Sequence, residues 1–352
     1  MSQQPGQDGI EMKSPIKRGK VLTLRCSALV LLLFSFSGTA NALSFPLPPD
    51  DIDVVGEIRT IEARHEDTLL ALGRKHSVGF EEMRRANPGV DMWLPGEGTE
   101  IVIPNRFILP DAKREGIVIN LAEMRLYYYP GDYSDKAGTV ETYPISVGRM
   151  DWSTPLGVSR ITDRTENPHW IPPQSIREER ARQGDPLPEV VPPGPDNPLG
   201  RHRIRLDIPG GAYLIHGTNE PRGIGMRVTS GCIRMFPEDV ESLFQRIPRG
   251  TRVNIVNQPV KAGWSEHELL VEIHPILPDG VEDGFDAAEP PSLEEAVLAV
   301  AAALERGEGR IDHRRLTRSV EQADGIPDVI SRHPTATYRS HESSTGPVSL
   351  LD

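Results

Sequence analysis

The run AYLIHGTNEPRGIGMRVTSGCIRMFPEDVESLF, residues 212–244, opens with a short apolar strand, Ala212–Ile215, that ends at His216. It continues through a glycine-rich stretch to Ser230-Gly231-Cys232-Ile233-Arg234 and closes in a helix over Glu238–Phe244, with Pro237 in its first turn. A thiol attacks a carbonyl only as the thiolate, and an ordinary cysteine is mostly protonated at neutral pH, so it needs a base or an electropositive site. His216 could supply that base. Gly231 permits a tight turn and close approach of a substrate backbone, and N–H groups around Gly231 and Cys232 could face a developing oxyanion. Arg234 has the planar fork that suits a carboxylate. Taken singly, a lone cysteine is more often a small hydrophobe and a strand-end histidine more often structural. A zinc site is weaker still, because no second cysteine or close histidine pair accompanies Cys232.

Outward from this run, residues 112–257 read as short strands separated by Gly and Pro. They are Ile117–Leu121, Met124–Tyr129, Thr142–Val147, Val158–Ile161, Ile204–Leu206, Ala212–Ile215 and Arg252–Val256. That spacing predicts a mainly β domain, a sandwich or barrel. Residues 166–200 hold nine prolines and read as a long insertion loop, a length usually tied to function. Beyond residue 258 one helix is legible, Ser292–Arg306, with Ser292 and Glu295 as a capping box and Gly307 as its stop. The last twenty or so residues are rich in Ser, His and Thr and read as disordered. No activity is assigned to 258–352.

The composition narrows the class. The chain has 352 residues, 37% of them hydrophobic, with 32 Gly, 33 Pro and a formal charge of −12. That apolar content excludes global disorder, and the acidic balance leaves no footprint for nucleic acid. Five basic residues between Lys13 and Arg25 precede the apolar run Ala28–Phe36, which is too short to span a bilayer. Ala40-Asn41-Ala42 is a small-x-small cleavage pattern, so 1–42 reads as a secretory signal, with an uncleaved anchor as the rival. Cys26 leaves with the signal. Cys232 is then the single thiol of an exported chain, which points to an intermolecular bridge or a reactive group.

Residues 43–55 are rich in Pro and Asp and read as a linker. Residues 56–104 read as strand, helix, helix, strand: Asp67 caps a helix over TLLALGRKH, FEEMRRA forms a second helix, and Glu100–Ile103 is a strand closed by Pro104. This segment resembles the LysM module, a small α+β (βααβ) fold, through Asp67-Thr68-Leu69, Asn87-Pro88 and Ile101–Pro104. The resemblance implies binding of N-acetylglucosamine-containing glycan such as peptidoglycan, near Glu66–Thr68 and Asn87–Val90. Asp67 and Asn87 are the two candidate glycan contacts, or else only cap and turn.

The run HGTNEPRGIGMRVTSGCIRM is similar to the signature of the L,D-transpeptidase catalytic domain, the YkuD family. Further landmarks occur in the family's order over 115–257: Ile117–Leu121 with Met124–Tyr128, Pro144–Gly148, Thr154–Gly157 and Asn197–Gly200. The resemblance implies a β-sandwich-like domain with a short helix at the cysteine loop. It implies Cys232 as nucleophile, His216 as general base and then acid, the Gly217 carbonyl as the group orienting the imidazole, and Arg234 as a holder of substrate carboxylate. Ser230 and Gly231 complete the catalytic loop. Many members carry a histidine where this chain has Ser230, so a mechanism needing a second imidazole is not expected here.

These likenesses imply a periplasmic L,D-transpeptidase. Its donor would be a peptidoglycan stem tetrapeptide, and its product a 3→3 crosslink or a lipoprotein attached to the wall. No metal or cofactor is implied, and acylation by carbapenems is. A carboxypeptidase on the same scaffold, with water as acceptor, and a non-catalytic wall-binding protein are the alternatives.

Overall fold

Two ten-residue strands organise the β-rich part of the protein, a computed structural model that describes residues 43–132, 134–148, 154–209, 213–229, 231–276 and 288–332. The signal-sequence reading of 1–42, the disordered reading of the last twenty residues and Ser230 lie outside the described residues. β1 is Leu43–Pro46, β2 Val54–Glu62, β3 Glu100–Ile108, β4 Gly116–Asn120, β5 Arg125–Tyr129 and β6 Thr139–Gly148. β7 is Gly157–Glu166, β8 His202–Leu206, β9 Leu214–His216, β10 Arg227–Thr229, β11 Ile233–Met235 and β12 Arg252–Val256.

β6 changes partners along its length. Its first half pairs with β1 and β5, and its second half with β11 and β10. β7 does the same, pairing with β12 and then, past a register shift, with β8. One ten-stranded sheet results, in the order β1-β6-β11-β9-β8-β7-β12-β4-β5 with β10 on β6, and it closes on itself because β5 also pairs with β6. The two long strands link a layer through β5, β4 and β12 to one through β8, β9 and β11. This is how a twisted sheet turns a corner and packs on itself. Inward side chains of both layers meet in one core, among them Ile117, Leu126, Ile145, Ile204, Ile215 and Ile255. Val240 and Leu243 of the helix α4 (Pro237–Arg246) seal it. The expected mainly β architecture is therefore observed.

The strand–helix–helix–strand unit is present as well. β2 pairs antiparallel with β3 over nine residues, and the helices α1 (Leu69–Lys75) and α2 (Phe80–Ala86) cross between them over a core of Leu69, Leu72, Val78, Met83 and Ile101. The cap differs from expectation. Thr68, not Asp67, is the N-cap, its Oγ1 accepting from Ala71 N at 3.0 Å. Asp67 faces backwards and accepts from Arg64 N at 2.9 Å, closing the turn before the helix. The shift arises because Thr68 has extended φ/ψ, the conformation a cap needs.

Three further segments depart from the sequence reading. The segment 43–55 is not only a linker: β1 adds an edge strand to β6. The insertion 166–200 carries the exposed helix α3 (Gln174–Arg182). The tail is a third folded unit. There β13 (Val260–Trp264) and β14 (Leu269–Ile273) pair antiparallel under α5 (Leu293–Leu304) and α6 (His313–Gln322). Ser292 and Glu295 form the expected capping box.

Buried ion pairs weld the units together. Arg125 of β5 meets Glu82 of α2 through two hydrogen bonds of 2.8 Å. Lys261 of β13 lies between Glu123 and Glu272, at 2.8 and 2.7 Å, and donates to the Ile108 carbonyl of β3 at 2.6 Å. His274 bonds Glu272 at 2.7 Å and Tyr127 bonds Glu123. Glu123, Glu272 and His274 are close enough to suggest a metal site, but the Lys261 ammonium fills the cation position between the two carboxylates.

Candidate active site

β9 and β11 lie side by side and parallel, with Ile215 opposite Ile233 and His216 opposite Arg234. Alternate residues of a strand face opposite sides. Ile215, Ile233 and Met235 point into the core, so His216, Arg234 and Cys232, two residues before Arg234, share the other face. The sequence separates Cys232 from His216, and the parallel pairing brings their strands into contact.

His216 Nδ1 lies 2.6 Å from the carbonyl oxygen of Gly217. A carbonyl only accepts, so Nδ1 carries the proton and Nε2 is left as the basic nitrogen. The ring is buried, and this burial, aided by the Arg234 cation and opposed by the Gly217 bond, lowers its pKa to about 3. Gly217 is held in turn: its N–H donates to the His202 carbonyl at 3.1 Å. Gly200 packs against it, at a φ of +65°, where a Cβ would stand 2.8 Å from Thr218 N. Asn197 closes the base of the 166–200 insertion beside this contact. Its Nδ2 donates to the Pro168 and Pro192 carbonyls at 2.9 and 3.1 Å, and its Oδ1 accepts from Leu199 N at 2.9 Å.

Cys232 is half-buried. Burial pushes its thiol above the usual range, against smaller opposing effects of the Leu214 backbone and Arg234. Burial thus favours, over a thiolate–imidazolium pair, the neutral form of both thiol and imidazole. Such a pair works by transferring the proton as the sulfur attacks. The loop before the sulfur is fixed by two hydroxyls. Thr154 Oγ1 donates to the Gly231 carbonyl at 3.0 Å, and Thr229 Oγ1 to the Cys232 carbonyl at 2.6 Å. Gly231 adopts φ of +90°, which favours glycine. Because a trans peptide sets N–H opposite C=O, fixing the Gly231 carbonyl on Thr154 also fixes the direction of the Cys232 N–H. Arg234 makes no ion pair among the described residues, and its Nε is buried without a partner.

Of the expected site residues, Cys232, His216, Gly217, Gly231 and Arg234 come together, while Ser230 is not described. Asn87 requires correction. Its side chain is buried and fully used, Nδ2 donating to Met83 and Val102 carbonyls at 2.9 Å each and Oδ1 accepting from Val102 N at 2.7 Å. It locks α2 to β3 and has no group left for a ligand. Asp67 uses one oxygen, Oδ2, on its local turn. The sequence reading had Thr154 only as a landmark and Thr229 and Arg227 only as members of the signature run; it gave no role to these three, and the value of the two threonines lies in contacts to the cysteine loop.

A thiol and an imidazole with its Nδ1 proton fixed, carried at adjacent parallel strands, have the chemistry that cysteine acyl-transfer enzymes use. The model of the L,D-transpeptidase catalytic domain, YkuD, matches residues 114–255. Over 298 residues the chain is 41% identical to the probable L,D-transpeptidase YcfS of Escherichia coli (strain K12), covering 84% of this chain and 90% of that one. It is 38% identical over 305 residues to the probable L,D-transpeptidase ErfK/SrfK of the same strain, covering 85% and 94%. For YbiS of that strain the figures are 37% over 314 residues, 88% and 98%. The chain belongs to the L,D-transpeptidase family and is an enzyme of it.

Proposed function

We propose that the protein acts on peptidoglycan stem tetrapeptides by way of a thioester on Cys232. The observation that carries this reading is the 2.6 Å bond from His216 Nδ1 to the Gly217 carbonyl, on the sheet face shared with Cys232. His216 Nε2 takes the thiol proton as sulfur attacks the carbonyl of the third stem residue, and the imidazolium returns it to the departing D-Ala amine. The N–H of Cys232 faces the developing oxyanion. An amine then attacks the thioester. A second diaminopimelate gives a 3→3 crosslink, the terminal Lys of a lipoprotein gives a wall-anchored protein, and water gives a carboxypeptidase. The peptide-bond energy is conserved in the thioester, so no ATP enters. Arg234, a cation without a carboxylate partner, holds a substrate carboxylate.

The βααβ unit is the LysM module of this reading, delivering glycan to the same enzyme. A cavity of about 280 Å³ supports it: Thr68, Leu70 and Trp93 border it from this unit, and Pro221, Arg222 and Phe236 from the catalytic side. Trp93 is half exposed, and an aromatic face suits the apolar side of a sugar ring. The basic and apolar N-terminus, followed by Ala40-Asn41-Ala42, supports a periplasmic reaction.

The test is the intact mass of the protein after incubation with a disaccharide-tetrapeptide, beside the Cys232→Ala variant. A transient adduct equal to substrate minus D-Ala, absent from the variant, is expected. No adduct and no consumption of substrate would sink the reading for this donor.

A further inference from the structure

We propose that Arg227 is the carboxylate-binding residue of a substrate pocket that adjoins the Cys232 loop and is closed on one side by the C-terminal unit. The pocket measures about 310 Å³. Leu121, Pro155 and Leu156 of the catalytic domain and Ile276 of the C-terminal unit form apolar walls, and Thr154, Asn257 and Arg227 bring polar groups. Thr154 ties the pocket to the reaction, since its hydroxyl donates to the Gly231 carbonyl, one residue before the nucleophile.

Like Arg234, Arg227 differs from the ion-paired arginines in what it lacks. Arg125, Arg114 and Arg246 are partly or fully buried, and each meets a carboxylate at 2.7, 3.0 and 2.8 Å. Arg227 is half-buried and has no carboxylate partner among the described residues; Nη2 donates to the Leu121 carbonyl at 3.2 Å. The charge that acts on it is another cation, Arg85. Burial and that repulsion lower its pKa to about 10, so it remains charged at neutral pH. A desolvated cation without a counter-ion is costly, and an apolar-walled cavity strengthens its attraction for an anion. The guanidinium fork fits a carboxylate, and the walls fit the aliphatic chain that carries it.

The ligand is thus a carboxylate at the end of an aliphatic chain. This inference rests on the proposed peptidoglycan reaction, in which two molecules offer such a group: the donor stem at its third residue and the amine acceptor. The two sources separate by step. Acylation is followed by intact mass with donor alone, and transfer is followed by adding acceptor to preformed acyl-enzyme. Arg227→Gln is expected to slow one of these steps by about 10- to 100-fold, the worth of a hydrogen bond to a charged group, with partial recovery in Arg227→Lys. The wild type should lose a similar factor when the carboxylate of that substrate is replaced by its primary amide, and Arg227→Gln should not distinguish acid from amide. Loss at acylation assigns the pocket to the donor, and loss at transfer to the acceptor. Should Arg227→Gln fail to fold, Arg227→Lys is compared with the wild type on the acid and amide substrates in its place. Equal rates for acid and amide at both steps would overturn the inference, together with the carboxylate role given to Arg234, while leaving the thioester on Cys232 intact. Absence of any acyl-enzyme in the wild type would overturn both.

Discussion

Lowering the pH from 7 to 5 should leave acylation of Cys232 almost unchanged. His216 is the general base in the proposed reaction, and it works only when Nε2 is unprotonated. A base with the ordinary histidine pKa of about 6.5 would be only about 3% neutral at pH 5, a loss of roughly 30-fold. Burial holds His216 at about 3, so it is almost wholly neutral at pH 5, and the acylation rate there should lie within about twofold of its value at pH 7. The same burial has a stability cost of definite sign. The folded pKa is below the unfolded one, so the contribution is complete above about pH 6.5 and is lost as pH falls toward 3. At pH 5 the loss is about 2 kcal/mol, from 1.5 units at 1.36 kcal/mol each. Single-turnover acylation by intact mass between pH 5 and 8 checks the rate, with urea denaturation at the same pH values checking stability. A rate that halves near pH 6.5 while the fold persists would refute the buried neutral imidazole.

Three further outcomes follow from charges that the units share. Glu82→Ala leaves the fully buried Arg125 without its bidentate partner and removes the acceptor of Gly79 N at 2.6 Å. A loss of about 3–5 kcal/mol is expected in urea denaturation, and a loss below about 1 kcal/mol would show the pair to be incidental. Lys261→Met leaves Glu123 and Glu272 facing each other without a cation. Glu272, which burial already pushes above the usual carboxylate range, then takes up a proton, so this variant should lose about 3–5 kcal/mol at pH 7.5 and distinctly less at pH 5.5, whereas an equal loss at both would contradict the mechanism. Asp239, buried with Oδ2 unpartnered, has its pKa raised to about 7, by burial first and Glu238 second. An acid raised in the folded state contributes most below about pH 4 and loses that contribution as pH rises to 7. Asp239→Asn should therefore gain on wild type by about 1.4 kcal/mol per pH unit across that window, measured by the same titration.

Legibility followed the range of the interaction. The strands of 115–257 could be read because a period of two, bounded by Gly and Pro, is a property of a few adjacent residues. The Ser292–Glu295 capping box was readable for the same reason. The Cys232–His216 pair was visible as chemistry, and the resemblance implied the Gly217 carbonyl as its orienting group. Between Asp67 and Thr68, both good caps by composition, the backbone of the turn made the choice. Asn87 looked available for a ligand until α2 and β3 closed over it. The face that α5 buries, Ala296, Val300 and Ala303 with Leu298 outside, follows from the sheet beneath it and not from hydrophobicity along the helix. Lys261 meets Glu123 from a different unit, and Arg227 stands out only by the carboxylate that does not reach it. Caps, turns and alternation are settled within a few residues of chain. Which buried charge finds a counter-charge depends on groups as far apart in the chain as Glu123 and Lys261, and only the packed structure decides it.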